Sequence, residues 1–315
     1  MKKLYLLIIP ISFICIYYIV YNSSKKAREN MYYKYPRENL IPKVCHQTWH
    51  TRELSPEIQK VIKNNKLKNP DIEFKLYTDN DMDVYIKENF DDLTYTAFKK
   101  INPKYGAALA DFFRYCVLYN EGGIYLDIKS SLTTKLFGNI IKNDDICILD
   151  KQRSYFEIWR YELGYGTYEQ WLLIFCKGHL YLKNMINLMV EALHSGIEPK
   201  PFNMTWFGFG PTSTKEKVLR LTGPDAFADA IHKSIIFNMR WLGFGATSTK
   251  EKVLRLTGPD AFAVAIHKSI IFNGIMHREI DYNSFSTYDY MNNNKKVYRK
   301  YNKIHYSKLT EPIII

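Results

Sequence analysis

The chain has 315 residues, a formal net charge of +12 at pH 7, 46% hydrophobic residues and 25 tyrosines. That apolar content excludes a disordered chain, and the length suffices for one large core or two small ones. The positive charge suits an anionic partner such as nucleic acid, a lipid headgroup or a nucleotide diphosphate, but the sequence has no Arg/Lys stripe, zinc pattern or RNP motif to favour nucleic acid.

Residues 4–21 read LYLLIIPISFICIYYIVY, without a charge, between Lys2-Lys3 and Lys25-Lys26-Arg28. Eighteen residues at a helical rise span about 27 Å, close to the thickness of a hydrocarbon core. No small-x-small cleavage site follows, so residues 1–24 are expected to be an uncleaved membrane anchor. The short leading tail favours an N-in, C-out orientation. Residues 25–40 are then expected to form a short stem, and residues 41–315 the main domain.

Within that domain strand and helix signals alternate, which predicts an α/β fold with parallel strands. A short strand is expected in IPKVCHQTWH (41–50). A helix follows over 55–70, with Ser55 as cap, Pro56 at its first position and Pro70 ending the segment. A strand is expected over 72–79 and a second helix over 81–90. The stretch YGAALADFFRYCVLYNEGG (105–123) is a strong helix signal, stopped by Gly122-Gly123. Residues 124–126 are wholly apolar, as in a central strand, so Asp127 falls at a strand's carboxyl end, where open α/β sheets place ligands. A further strand is expected over 145–150, and helices over 168–178 and 180–193. Cys45, Cys116, Cys147 and Cys176 are dispersed, with no metal-ligand spacing.

Residues 202–236 and 237–271 are two 35-residue blocks that agree at 31 positions. They differ only at Thr205/Arg240, Phe207/Leu242, Pro211/Ala246 and Asp229/Val264. Solenoid repeats agree at packing positions and drift at exposed ones. Here the charged triplets 215–217 and 250–252 match too, which points to a tandem duplication instead. Each block is expected to carry two short helices around LTGPDAF, and either block joins its neighbours naturally.

The chemistry concentrates around residues 105–132. Asp111 and Arg114 are three apart on the predicted helix and share a face. Asp127 follows across the glycine turn. Two acids and an arginine on apolar elements are unfavourable unless they serve one another or a ligand. They could form a structural ion pair plus a strand-end cap, or a ligand site.

Three segments in this order, IPKVCHQTWH, YGAALADFFRYCVLYNEGGIYLDIKSSL and LTGPDAF, resemble glycosyltransferase family 32, whose members carry a DxD motif; HREIDYNSF (277–285) is similar to the family's closing segment. The resemblance spans about residues 41–280, less one block. It implies a GT-A fold with a mixed, mostly parallel sheet, and retaining transfer of a hexose from a nucleotide diphosphate sugar (GDP-mannose or a UDP-hexose) to a glycan, lipid or protein-linked acceptor. It also fits an anchored protein of the Golgi or another secretory membrane. By resemblance Trp49 lies at the nucleoside base, and Asp111 and Arg114 hold the donor's sugar hydroxyls and phosphate side. Gly122, Gly123 and Tyr125 belong to the donor-binding segment. Asp127 is the first acid of the DxD, binding ribose or metal. Lys129 stands where the family has its second acid, the ligand for Mn²⁺ or Mg²⁺. Three readings follow: the ammonium replaces the ion, or the site is degenerate and the chain binds sugar nucleotide or glycan without turnover, or a metal is held by Asp127 with Asp150, His277 or Glu279. His46 and His50 are expected to be structural or base-contacting, since their spacing lacks a zinc site's helix and glutamate.

Overall fold

The structure is a computed structural model that describes residues 40–150, 168–196, 278–288, 309 and 312–315, and ten residues between 218 and 231 (218, 221–224, 226–228, 230 and 231). The expected anchor and stem, the second block and His277 lie outside the described residues. Among the described residues no helix is long and apolar enough to cross a membrane.

The chain enters through β1 (Val44–Thr48), whose first four residues are buried. It then forms α1 (Pro56–Lys68), started as expected by Ser55, which accepts the Ile58 amide, and by Pro56 in the first turn. β2 (Glu73–Tyr77) returns parallel to β1. Thr78 and Asp81 form a reciprocal capping box that opens α2 (Asp79–Asn89). A separate helix α3 (Asp92–Lys99), capped by Asp91, follows at once.

α4 (Gly106–Glu121) buries Ala108, Leu109 and every residue from 112 to 118. That burial is too wide for one amphipathic stripe and fits a helix enclosed on several sides. It ends in Gly122 and Gly123, with φ of 71° and 95°, a region that disfavours side chains. The second glycine begins β3 (Gly123–Leu126), which is wholly buried. Then come β4 (Ser130–Leu132), β5 (Cys147–Leu149), β6 (Leu172–Phe175), α5 (Leu180–Ser195), β7 (Arg278–Glu279) and β8 (Ser286–Tyr288).

Six strands form one sheet in the order β2-β1-β3-β6-β5-β7, and β4 pairs with β8 beside it. Three of the sheet's pairings are parallel and two, on either side of β6, are antiparallel. The expected mixed and mostly parallel sheet is therefore present. Side-chain alternation divides the core between its two faces. Tyr125, Leu173, Phe175, Cys147 and Leu149 join the helices α2 to α5 on one side. Ile124, Leu126, Leu172, Ile174 and Ile148 pack with Leu132, Tyr282 and Phe285 on the other.

The helix expected over 168–178 is not formed. Residues 172–175 are the antiparallel strand β6 instead, because Leu-Leu-Ile-Phe is a run too short for a helix and is apolar on both faces, as a central strand must be. The four domain cysteines are free thiols, all buried. Of the two blocks, the first is seated in the core: Val218, Leu221, Ala226, Phe227, Ala230 and Ile231 belong to the cluster around α4 and α5.

The glycine pair is closely packed. A Cβ on Gly123 would lie 2.5 Å from the Val44 carbonyl oxygen and 2.7 Å from Val44 Cγ1. Both neighbours belong to the central strand β1, so neither can withdraw. Gly123→Ala is expected to destabilise the protein by about 3 kcal/mol, read as a shift of the urea midpoint, whereas Gly106→Ala, where a Cβ meets nothing within 4 Å, is expected to be neutral or stabilising.

Candidate functional site

β1 and β3 are parallel with His46 level with Tyr125. Their carboxyl ends therefore lie side by side, and Thr48, Trp49 and Asp127 emerge at one edge of the sheet. The Trp49 amide donates to the Tyr77 carbonyl (3.0 Å) and the Asp127 amide to the Trp171 carbonyl (2.8 Å), so both residues are fixed by backbone on a neighbouring strand's end. β3 stops at Leu126, and strand alternation does not continue to residue 129. Instead Ser130 donates its amide to the Asp127 carbonyl (2.8 Å), closing a tight turn. The turn brings the Lys129 ammonium to 5.0 Å from the Trp49 ring centroid, a cation–π contact.

Behind this edge α4 delivers two charged side chains. Arg114 is buried, pairs with Asp111 through Nη2 and donates Nη1 to the Gln170 carbonyl. Its guanidinium lies over the Tyr125 ring at 4.8 Å. Its Nε–H has no hydrogen-bond partner among the described residues. Asp111 receives a second hydrogen bond from Thr222 Oγ1 at 2.8 Å. Tyr115 donates its hydroxyl to the Gln170 side-chain oxygen (2.6 Å) or the Thr222 carbonyl (3.0 Å), tying β6 to the first block.

Tyr125 links the two layers. Its hydroxyl is 2.9 Å from Thr48 Oγ1 and is close enough to the Asp127 carboxyl to favour its ionised form. Burial pushes the Asp127 carboxyl up to about 6; Asp111 pushes the same way, while Arg114, Lys129 and the Tyr125 hydroxyl oppose it. Burial brings Lys129 down to about 8, against the pull of Asp127. Burial also raises Asp111, opposed by Arg114 and Thr222. Arg114 is driven further up by Asp111, Tyr125 and Asp127 in spite of its burial, so it stays charged.

The site therefore brings Asp111, Arg114, Tyr125, Asp127, Lys129 and Trp49 into one contiguous set. Gly122 and Gly123 sit at the opposite end of β3. Their packing is explained there, since a Cβ on Gly122 would come within 2.7 Å of the Lys177 amide nitrogen. His46 is buried and structural: Nε2 donates to the Gly122 carbonyl (3.0 Å), Nδ1 accepts from the Tyr77 hydroxyl (3.2 Å), and burial lowers its pKa to about 4. Gln170 and Thr222 were not singled out by sequence. Thr222 lies in LTGPDAF, a motif visible in the sequence but without a visible partner, and Gln170 contributes its backbone carbonyl to Arg114 and its side-chain oxygen to Tyr115, contacts that sequence does not display.

The donor set does not fit a divalent cation. The position that would supply a second carboxylate is an ammonium, which repels a cation. Among the described residues no group of three His, Cys, Asp or Glu side chains could hold a metal ion. Asp150 caps the Tyr282 amide (2.9 Å), and Glu279 is an exposed residue of β7.

Residues 44–147 match a family described as glycosyltransferase sugar-binding region containing DXD motif. Inositol phosphoceramide mannosyltransferase 3 of Schizosaccharomyces pombe is 36% identical over 88 residues, 28% of this chain and 24% of that protein. Mannosyl phosphorylinositol ceramide synthase SUR1 of Saccharomyces cerevisiae is 36% identical over 102 residues, 32% of this chain and 26% of that protein. Initiation-specific alpha-1,6-mannosyltransferase of Candida albicans is 28% identical over 134 residues, 40% and 34% of the two chains. This chain thus spans only a quarter to a third of the length of these relatives. Among solved structures it is similar to PaToxG Glycosyltransferase, with 19% identity, a TM-score of 0.46, and coverage of 84% of this chain and 96% of that one.

Removing one member of the buried pair leaves the other uncompensated. Arg114→Met is expected to destabilise the protein by about 3–5 kcal/mol in urea unfolding, and adding Asp111→Asn to it is expected to restore part of that loss.

Proposed function

We propose, from the match of residues 44–147 to a family described as glycosyltransferase sugar-binding region containing DXD motif, that the chain is a retaining hexosyltransferase of the GT-A type. It moves a hexose from GDP-mannose or a UDP-sugar to a hydroxyl of a glycan or glycolipid. The relatives' names, which specify mannose and inositol phosphoceramide or α-1,6-mannose linkages, favour GDP-mannose and a lipid or glycan acceptor. Residues 4–21 would hold the domain at a secretory-pathway membrane, in type II orientation, in the Golgi.

The observation that carries the reading is the cluster of Asp111, Arg114, Asp127 and Lys129 at the carboxyl edge of the sheet, beside the half-exposed indole of Trp49. The indole offers a flat face to a nucleoside base. Asp111 and Asp127 accept hydrogen bonds from sugar hydroxyls. The Arg114 Nε–H, buried without a hydrogen-bond partner among the described residues, would donate to an oxygen of the donor. A DxD with a bound divalent cation has no net charge over those three groups; Asp127 with Lys129 likewise has none. The lysine thus preserves the charge of a metal-loaded site with a cation of its own.

In the transfer the acceptor oxygen bonds the anomeric carbon on the face from which the nucleoside diphosphate departs. The bond from that carbon to the phosphate oxygen breaks, and the departing phosphate oxygen takes the acceptor's proton. The Lys129 ammonium and the Arg114 guanidinium compensate the charge that develops on the leaving group. Lys129 is also the residue that favours the second reading, a sugar-nucleotide-binding protein without turnover.

The two readings separate in one experiment. The full chain in detergent is given a panel of GDP- and UDP-sugars, with EDTA or with Mn²⁺, and both donor hydrolysis and nucleotide binding are measured. Hydrolysis of one donor that persists in EDTA is the expected result, with Asp127→Ala abolishing it by at least about a hundredfold while the melting temperature is kept. Binding without hydrolysis or transfer supports the second reading.

The pH profile supplies an independent test. Asp127 must be ionised to accept from the donor, so kcat/KM rises with pH through about 6. Lys129 must be protonated to act as a cation, so it falls through about 8. The free protein's profile is therefore a bell. Lys129→Arg is expected to remove the alkaline limb and leave the acid limb in place, and a wild-type profile flat from 7 to 9.5 would contradict the role given to the lysine.

A further inference from the structure

The segment that holds Asp111 from behind exists twice in this chain. In the structure the seat is filled by residues of the first block. Thr222 Oγ1 donates to Asp111 Oδ2 (2.8 Å), the Thr222 carbonyl is 3.0 Å from the Tyr115 hydroxyl, and the Phe227 ring stacks on Tyr115 with centroids 5.4 Å apart. Val218, Leu221, Ala226, Ala230 and Ile231 complete the buried face. Every one of these side chains has an identical counterpart 35 residues on: Val253, Leu256, Thr257, Ala261, Phe262, Ala265 and Ile266. Across 218–231 and 253–266 the only difference is Asp229 against Val264.

The contacts made by the described residues of the seat therefore do not tell the two blocks apart. Exchanging them would lengthen the chain between Ser195 and the seat by 35 residues and shorten the chain from the seat to Arg278 by the same 35. Closure entropy grows only with the logarithm of such lengths, so neither arrangement is strongly preferred on that ground. We propose that the seat is interchangeable: residues 253–266 can occupy it in place of 218–231, and Thr257 then replaces Thr222 as the positioning residue for Asp111. The seat does not depend on the sugar-transfer reading; only the turnover arm of its test rests on it.

The sequence itself provides clean variants. Deleting 202–236 joins Pro201 to Phe237, which repeats the natural Pro-Phe junction, and deleting 237–271 joins Ile236 to Phe272, which repeats Ile-Phe. The two products differ only at the four non-identical positions. The expected result is that both fold, with melting temperatures within about 5 °C of one another. Thr222→Val in the protein that lacks 237–271, and Thr257→Val in the protein that lacks 202–236, should each lower donor turnover about tenfold, with Thr→Ser restoring it. In the full chain Thr222→Val should lower turnover clearly less, because the intact block takes the seat. Failure of either deletion protein to fold overturns the proposal. So does a full-chain Thr222→Val loss equal to that in the single-block protein. Two folded deletion proteins of equal melting temperature with no turnover of any sugar nucleotide would leave the exchange standing and count against the sugar-transfer reading instead.

Discussion

The site depends on one buried ion pair. Arg114 reaches from the middle of α4 to Asp111 on its own helix, to the backbone of Gln170 just before β6, and over the ring of Tyr125 on β3. Buried pairs of this kind add little net stability, because desolvation offsets most of the attraction. What this one does is fix geometry. A single planar guanidinium sets where the helix, the central strand and the antiparallel strand stand relative to one another, and Tyr125 passes that position on to Asp127. The first block enters the same network through Thr222, so a segment more than a hundred residues away completes the wall behind the carboxylates.

Charge is the second constraint. Asp127 and Lys129 share a crowded edge, and burial works against both ionised forms. Each group is held partly by the other: Asp127 raises the lysine and Lys129 lowers the acid. On the proposed sugar-transfer reading, a carboxylate beside an ammonium would offer an incoming diphosphate a cation already in place. The parked contact of Lys129 on the Trp49 ring keeps the ammonium at the edge of the sheet rather than in solvent.

Much of this was legible in the sequence. An apolar run of three residues after a glycine pair placed Asp127 at a strand end, and helical spacing put Asp111 and Arg114 on one face. Ser55-Pro56 marked the start of α1. The rest failed for identifiable reasons. Leu172 to Phe175 looked like helix because an apolar run carries no period to distinguish the two states. α3 was not anticipated, because it is only eight residues long. The route of Lys129 was not legible either, since a turn closed by the Ser130 amide on the Asp127 carbonyl, and no continued strand, brings it beside Trp49. The Gln170 carbonyl and the Thr222 hydroxyl entered through tertiary register, which a single sequence does not encode locally. The glycines at 122 and 123 were legible as a helix stop, but not their close packing against Val44 and the backbone at Lys177.

The most direct test of the account is calorimetric titration of GDP and of UDP into the full chain, each in EDTA and again in Mn²⁺. If the Lys129 ammonium serves as the cation of the site, the nucleotide that binds will do so in EDTA, with a Kd that Mn²⁺ changes by less than about threefold. Binding that appears only when Mn²⁺ is added would contradict the account.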